Sequence, residues 1–100
     1  MARSILDERL SVSERVARRT FEDETLLLNP DTGQYHALNE TGARVLELLE
    51  GSDGTAREAV SALAAEFEVA ADEIEGEMEK FFEALVERGL VEHPEEDDSA

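Results

Sequence analysis

The chain reads as an α+β domain, a three-stranded antiparallel sheet followed by three helices. Three features of the sequence point there. Up to Leu38 the apolar residues come in short runs bounded by turn-forming residues, the habit of strands. From Val45 onward they recur every three or four positions, the habit of amphipathic helices. A five-residue strand-like run, Gln34 to Leu38, then meets a helix-like run with almost no loop between them.

The elements follow in order. Residues 1–9 carry no pattern and are expected to be a flexible N-terminus. Leu10 to Arg18 reads as the first strand, with Val12 and Val16 among the charges of Glu14, Arg15 and Arg18. Glu24 to Asn29 is the second, built on Leu26, Leu27 and Leu28. In "NPDTG", Pro30 presets a turn, Asp31 favours it and Gly33 tolerates positive φ; a hairpin into the third strand, Gln34 to Leu38, is expected. Asn39 is a good N-cap for the first helix, whose apolar stripe is Val45, Leu46 and Leu49, widened by Leu48. Gly51 ends that helix, and "GSDG" makes the turn. Thr55, with Glu58 three residues on, forms a capping box for the second helix, whose stripe is Val60, Leu63, Ala64 and Phe67. The third helix starts near Asp72. Ile74, Met78, Phe81 and Leu85 share one face, and Phe82 and Val86 extend the arc sideways by about 100°. Gly89 is the C′ glycine, with Leu90 as its hydrophobic latch. Residues 10–92 are thus the folded domain, and 93–100 an acidic tail expected to be disordered. Two short helices joined by a four-residue turn, a third helix and a small sheet describe a winged helix-turn-helix-like arrangement.

Size and charge narrow the functions open to it. One hundred residues make one small domain with a modest core. There is no Cys, hence no disulfide or thiolate site, which is compatible with a reducing cytosol. The longest unbroken apolar stretches, such as Ala62 to Ala65, are far shorter than the roughly 20 residues of a membrane span. Charges at Arg3, Asp7, Glu8 and Arg9 interrupt any signal-peptide core, so a cytoplasmic location is expected. The net charge of −17 is unevenly spread. Residues 1–20 hold five Arg against Asp7, Glu8 and Glu14, a net +2, which leaves −19 on the remainder. Such a surface repels a phosphate backbone and attracts a basic peptide or protein; acidity can also serve solubility alone. A DNA-reading winged helix is disfavoured too, because the second helix offers only Arg57 and the third only Lys80 and Arg88 for bases and phosphates.

No catalytic set is visible, and the chain is expected not to be an enzyme. His36 lies in a strand and His93 in the tail, so no metal-ligand pair has a usable spacing. No Ser or Thr stands in a nucleophile elbow, and no glycine-rich loop precedes a helix in phosphate-binding form. Glu73, Glu75, Glu77 and Glu79 alternate around a helix as a solvated surface. No cofactor is expected.

What remains is the edge of the sheet. A three-stranded meander has two open edges, and open edges invite pairing with other chains. Arg15 and Arg18 guard the first strand. The third strand, Gln34, Tyr35, His36, Ala37 and Leu38, is nearly bare. A guest strand there would gain about 0.5–1.5 kcal/mol per hydrogen bond and would need side-chain pockets for selectivity. Phe82 or Val86 can face a groove shared with Tyr35, and Glu75 and Glu79 can meet Lys or Arg of the guest. Equally, Phe81 and Phe82 can both be core, Tyr35 can cap the sheet, and His36 can be a plain solvent-side residue.

The segments "LLLNPDTGQYHALNETGARVLELLEG", "FEV" and "LVERGLVE" resemble the PqqD-like proteins, the recognition elements of ribosomally made, modified peptides (RiPP recognition elements). The shared features are the leucine strand, the turn, a Tyr-x-x-Leu-Asn junction (Tyr35, Leu38, Asn39), the "LLEG" helix end and a terminal L-x-x-x-G-L (Leu85, Gly89, Leu90), over about residues 10–92. The resemblance implies a non-catalytic adaptor that holds the leader segment of a precursor peptide and delivers it to a modifying enzyme. It implies that the leader adds as a strand to the third strand and packs on the third helix, with contacts at Gln34 to Leu38 and at Glu75, Met78, Glu79, Phe82 and Val86. Within the class the chain looks most like the free-standing proteins of lasso-peptide clusters, which work beside a leader peptidase and a cyclase. A PqqD-type chaperone in pyrroloquinoline quinone biosynthesis is the alternative. The expected leader is extended and basic, with an aromatic or aliphatic anchor.

Overall fold

A 3-10 turn at Ile5–Asp7 is followed by β1 (Ser11–Val12), β2 (Ala17–Phe21), β3 (Glu24–Leu28), β4 (Tyr35–Leu38), α1 (Glu40–Glu50), α2 (Ala56–Phe67), α3 (Ala71–Glu87) and β5 (Val91–Glu92). The structure is a computed structural model that describes residues 4–22, 24–51 and 55–93. β2, β3 and β4 form an antiparallel meander, and β1 pairs with β5 in a separate two-stranded sheet. The expected order of sheet and three helices is present.

The expected first strand is two strands. At Ser13 the hydroxyl accepts from the Arg15 N–H at 3.3 Å and the carbonyl from the Val16 N–H at 3.1 Å. Serine competes for neighbouring backbone donors in this way and favours a bend over a ladder. The chain therefore turns at Glu14 and Arg15. Val12 pairs opposite Val91, and a new strand from Ala17 reaches β3, with Ala17 opposite Leu28. Arg15 lies in the turn, paired with Asp31, and does not line the sheet edge.

Nor does the whole N-terminal segment fray. Leu6 is fully buried in the core, which is worth about 2 kcal/mol for a leucine. Ser4 caps the 3-10 turn by accepting from the Leu6 N–H. Arg57 on α2 pairs with both Asp7 and Glu75 of α3, which ties the turn to two helices. Residues 1–3 and 94–100, including nearly all of the acidic tail, lie outside the described residues, as does the middle of the "GSDG" turn. His93 is described and pairs with Glu8.

The turn and cap signals are realised. The Asn29 N–H donates to the Gln34 carbonyl at 2.8 Å, the Asn29 side chain accepts from the Asp31 N–H at 2.9 Å, and Gly33 takes φ 78°. Asn39 accepts from the Gly42 N–H at 2.8 Å and Thr55 from the Glu58 N–H at 3.4 Å. At the end of α3, Leu90 N–H reaches the Leu85 carbonyl at 2.9 Å and Gly89 N–H the Val86 carbonyl at 3.0 Å. This bond pair is a Schellman stop, with Gly89 at φ 72° and Leu90 buried.

The core lies between the inner face of the sheet and the three helices. Leu27 and Leu38 supply the sheet side, and Val45, Leu46, Leu49, Val60, Leu63, Met78, Phe82 and Leu85 the helix side. Two expected core residues are differently placed. Phe67 is 48% exposed, because α2 is packed through Ala56, Ala59, Val60, Leu63 and Ala64 and its last turn runs past the core. On α3 the buried stripe is Met78, Phe82 and Leu85, with Phe81 half-buried beside it. Among the described residues no helix is long and apolar enough to cross a membrane.

Candidate functional site

The free edge of β4 is defined by parity. In an antiparallel pair, residues alternate between those that bond the neighbour and those that face away. Asn29 bonds Gln34, and the register continues through Leu27 opposite His36 and Thr25 opposite Leu38. Gln34, His36 and Leu38 therefore spend their backbone groups on β3. Tyr35 and Ala37 turn theirs outward, to whatever adds to the edge.

Side chains alternate in the opposite plane. His36 and Leu38 lie on the inner face with Leu27, and Tyr35 and Ala37 on the outer face with Leu26 and Leu28. Tyr35 is 59% exposed, so it does not cap the sheet against another element. His36 meets Phe81 edge to face, with ring centroids 6.1 Å apart and planes at 73°. Phe81 in turn stands against Phe82 at 5.3 Å. Phe81 fits there because α1 carries glycine at position 42, where a Cβ would come within 3.1 Å of the Phe81 ring and 3.4 Å of Leu38.

Shallow depressions run along this edge. One end is bordered by Thr32, Gln34 and the Val86–Gly89 end of α3, the middle by Gly33 to Ala37 with Arg88, and the other end by Ala37 to Thr41 with Glu24. The trough is thus lined by β4 itself, by the helix α1 that follows it and by the last turn of α3.

Of the expected contact residues, Gln34, Tyr35, His36, Ala37 and Val86 come together here. Leu38 contributes to the strand, but its side chain is core. Phe82 is 0% exposed and Met78 is 7% exposed, so the expectation that Phe82 faces a groove is corrected: α3 is rotated so that Phe81, one position earlier, looks toward β4. Glu75 and Glu79 are also misplaced by that expectation. By helical geometry they lie about 120° and 160° around α3 from Phe81. Glu75 pairs with Arg57, and Glu79 accepts from the Ser4 hydroxyl at 2.5 Å, on the flank that carries the 3-10 turn.

The edge is also less bare than expected. Arg88 donates from Nη1 to the Tyr35 carbonyl at 3.0 Å and approaches His36 Nδ1 at 3.4 Å. A guanidinium has donors only, so in this contact Nδ1 is the acceptor. Desolvation, and secondarily the Arg88 charge, hold the His36 pKa below its ordinary value. Arg88 could have been found from its spacing. It lies seven residues after Phe81, and seven residues are nearly two full turns, so both fall on one stripe of the helix.

Among the described residues no cluster of His, Asp or Glu could hold a metal ion. What the arrangement offers is a short backbone edge, an imidazole and a guanidinium beside a trough, which suits binding of an extended chain.

Comparison with known proteins agrees with this geometry. No curated protein matches the chain. Among solved structures it is similar to one described as TbiB1 in complex with the TbiA(beta) leader peptide, with a TM-score of 0.71 and 32% identity over 86% of this chain and 99% of that one. Residues 24–91 match the family described as coenzyme PQQ synthesis protein D (PqqD), a span that runs from the first residue of β3, through β4 and all three helices, to β5. With two strands of its meander, all three helices and most of its length within that match, the chain belongs to the PqqD family.

Proposed function

We propose that this protein is a non-catalytic adaptor that binds the leader segment of a ribosomally made precursor peptide as an added strand on β4 and presents it to a modifying enzyme. The observation that carries the reading is the outward-facing backbone of Tyr35 and Ala37 beside an open trough. The likeness to a leader-bound relative over nearly the whole chain supports it. Contacts fall on Gln34 to Leu38 and Val86. The leader is extended, carries an aromatic or aliphatic anchor, and is basic overall, drawn by the field of a −17 chain. The modifying enzyme is a leader peptidase acting with a cyclase, as in lasso-peptide assembly, in the cytoplasm.

The test is titration of the isotope-labelled protein with the leader of the precursor encoded beside its gene. Binding with protection of the Tyr35 and Ala37 amides supports the reading. Binding that leaves those two amides exchanging freely places the leader elsewhere and defeats it.

A second reading has its own support, since the matching family is described by coenzyme PQQ synthesis. In that case the guest is the pyrroloquinoline quinone precursor peptide. A neighbouring peptidase gene with a cyclase gene favours the first reading, and a quinone-pathway neighbourhood the second.

A further inference from the structure

Arg88 is unlike the ion-paired arginines of this chain. In a chain with 26 acidic residues, Arg15, Arg18, Arg44 and Arg57 each hold a carboxylate. Arg9, Arg19 and Arg88 hold none among the described residues, and of these three it is Arg88 that bonds the free edge of β4. Its partners are a backbone carbonyl and an imidazole nitrogen, and Nε and Nη2 remain unspent. The carbonyl it occupies belongs to Tyr35, one of the two residues whose backbone faces the guest. A guest N–H must come within about 2.9 Å of that same oxygen, where Nη1 now sits at 3.0 Å. A carbonyl oxygen can accept two hydrogen bonds, so the guest N–H either joins the guanidinium there, leaving Nε and Nη2 for a further acceptor, or displaces it. Either way it is a cation with unspent donors under an arriving chain, and a bidentate carboxylate is the acceptor that best matches its fork.

We propose that Arg88 is a specificity-determining residue of the receiving edge: it covers the Tyr35 carbonyl in the free protein and pairs with an Asp or Glu of the guest in the complex. The register names the position. In an antiparallel guest, the residue that bonds Tyr35 points its side chain to the outer face with Tyr35. Its immediate neighbours point to the inner face, where His36 and Arg88 stand. The carboxylate therefore belongs on a residue adjacent to the one bonded to Tyr35. This rests on the strand-addition reading above and adds to it a single acidic position within an otherwise basic guest.

The experiment does not require the native leader. A display library of random extended peptides is panned in parallel against the full chain and against its Arg88→Gln and Arg88→Glu variants. Arg88 is solvent-exposed, and thermal melts confirm that the variants fold. The wild type is expected to enrich Asp or Glu at one fixed position. Arg88→Gln loses that preference while the other positions persist, and Arg88→Glu replaces it with Lys or Arg. For a selected peptide, exchanging the acid for its amide weakens wild-type binding by about fivefold and leaves Arg88→Gln binding unchanged. A consensus with no acidic position, or one whose acidic position survives in Arg88→Gln, overturns the proposal while leaving strand addition intact. If no peptide is enriched at all, strand addition itself fails and takes the proposal with it.

Discussion

The side-chain amide of Asn29 donates to the carbonyl of Gly89 at 3.1 Å, across sixty positions of sequence. The contact joins the β3–β4 turn to the stop of α3, and so links the strand β4 to the helix end that carries Arg88. Asn29 also accepts from the Asp31 N–H, and it is buried. The two residues are closely fitted: a Cβ on Gly89 would lie 2.8 Å from the Asn29 Nδ2.

Gly89→Ala meets both that clash and the φ of 72°, and is expected to cost more than about 1 kcal/mol. Asn29→Ala is expected to cost about 1–3 kcal/mol, because it leaves the Gly89 carbonyl and the Asp31 N–H without their partner. Since Asn29→Ala removes the atom that the new Cβ would strike, the double variant should cost less than the two singles together. Urea denaturation of the four proteins measures this, and strict additivity would show that the contact carries no energetic coupling.

Phe82→Ala should empty a fully buried site and cost about 3–5 kcal/mol. Val86 is half-buried and borders the trough beside Gln34. Val86→Ala should weaken leader binding about three- to fivefold with a much smaller loss of stability. Denaturation midpoints and leader titrations on the same samples separate the two effects. A stable Phe82→Ala protein would contradict the rotation of α3 described above.

The two kinds of position on β4 should respond differently to proline. The Ala37 N–H faces away from β3 on the free edge, so Ala37→Pro leaves the ladder to β3 intact and removes one bond available to an added strand. Leader affinity should fall about tenfold, through the lost bond and the ring in its place. The His36 N–H belongs to the ladder, and His36→Pro should destabilise the domain by about 1–3 kcal/mol. Equal effects of the two substitutions on folding would refute the assigned parity.

His36 titrates below its ordinary value in the folded protein, mainly by desolvation and secondarily by the Arg88 charge. Between the folded value and the unfolded value near 6.5, the unfolded chain binds more protons, so stability rises with pH. This contribution is complete above the unfolded value and is lost as pH falls toward the folded one. His36→Gln should remove that component of the pH profile. In an NMR titration, Arg88→Gln should bring the His36 midpoint only part of the way back, because desolvation remains. Full recovery would assign the shift to the arginine.

Leader affinity should decline modestly as salt rises, since exposed charge attraction is screened over about 8–10 Å at ordinary ionic strength. Anisotropy titrations from low to moderate salt test this. A flat response would remove the long-range field from the account while leaving the backbone bonds in place.

Much of the fold can be read from residues near one another in sequence. The Asn29–Gly33 turn, the Asn39 and Thr55 caps and the Gly89 stop each depend on local hydrogen bonds and on φ preferences, and each forms as expected. The strand at Tyr35–Leu38 was likewise legible, and with it half of the candidate site. The break at Ser13 was not, although its serine was in plain view. Local preference allowed either a bend or a continuous strand, and the pairing of Ser11–Val12 with Val91–Glu92, remote in sequence, selected the bend that the Ser13 hydrogen bonds hold.

The other half of the site required packing. A helix with apolar residues at 74, 78, 81, 82, 85 and 86 has a greasy arc wider than its contact, and periodicity alone cannot say which part of the arc goes inside. That choice fell to distant partners. Gly42 left room for the Phe81 ring, and the Leu27 and Leu38 face received the stripe through Phe82 and Leu85. The same rotation carried Glu75 and Glu79 to the far flank and brought Arg88 onto the edge of β4. Composition and local patterning settled which elements form and where each stops. The angle at which one helix rolls against a sheet is set by the shapes it meets across the core, and on that angle depends which charge waits at the open strand.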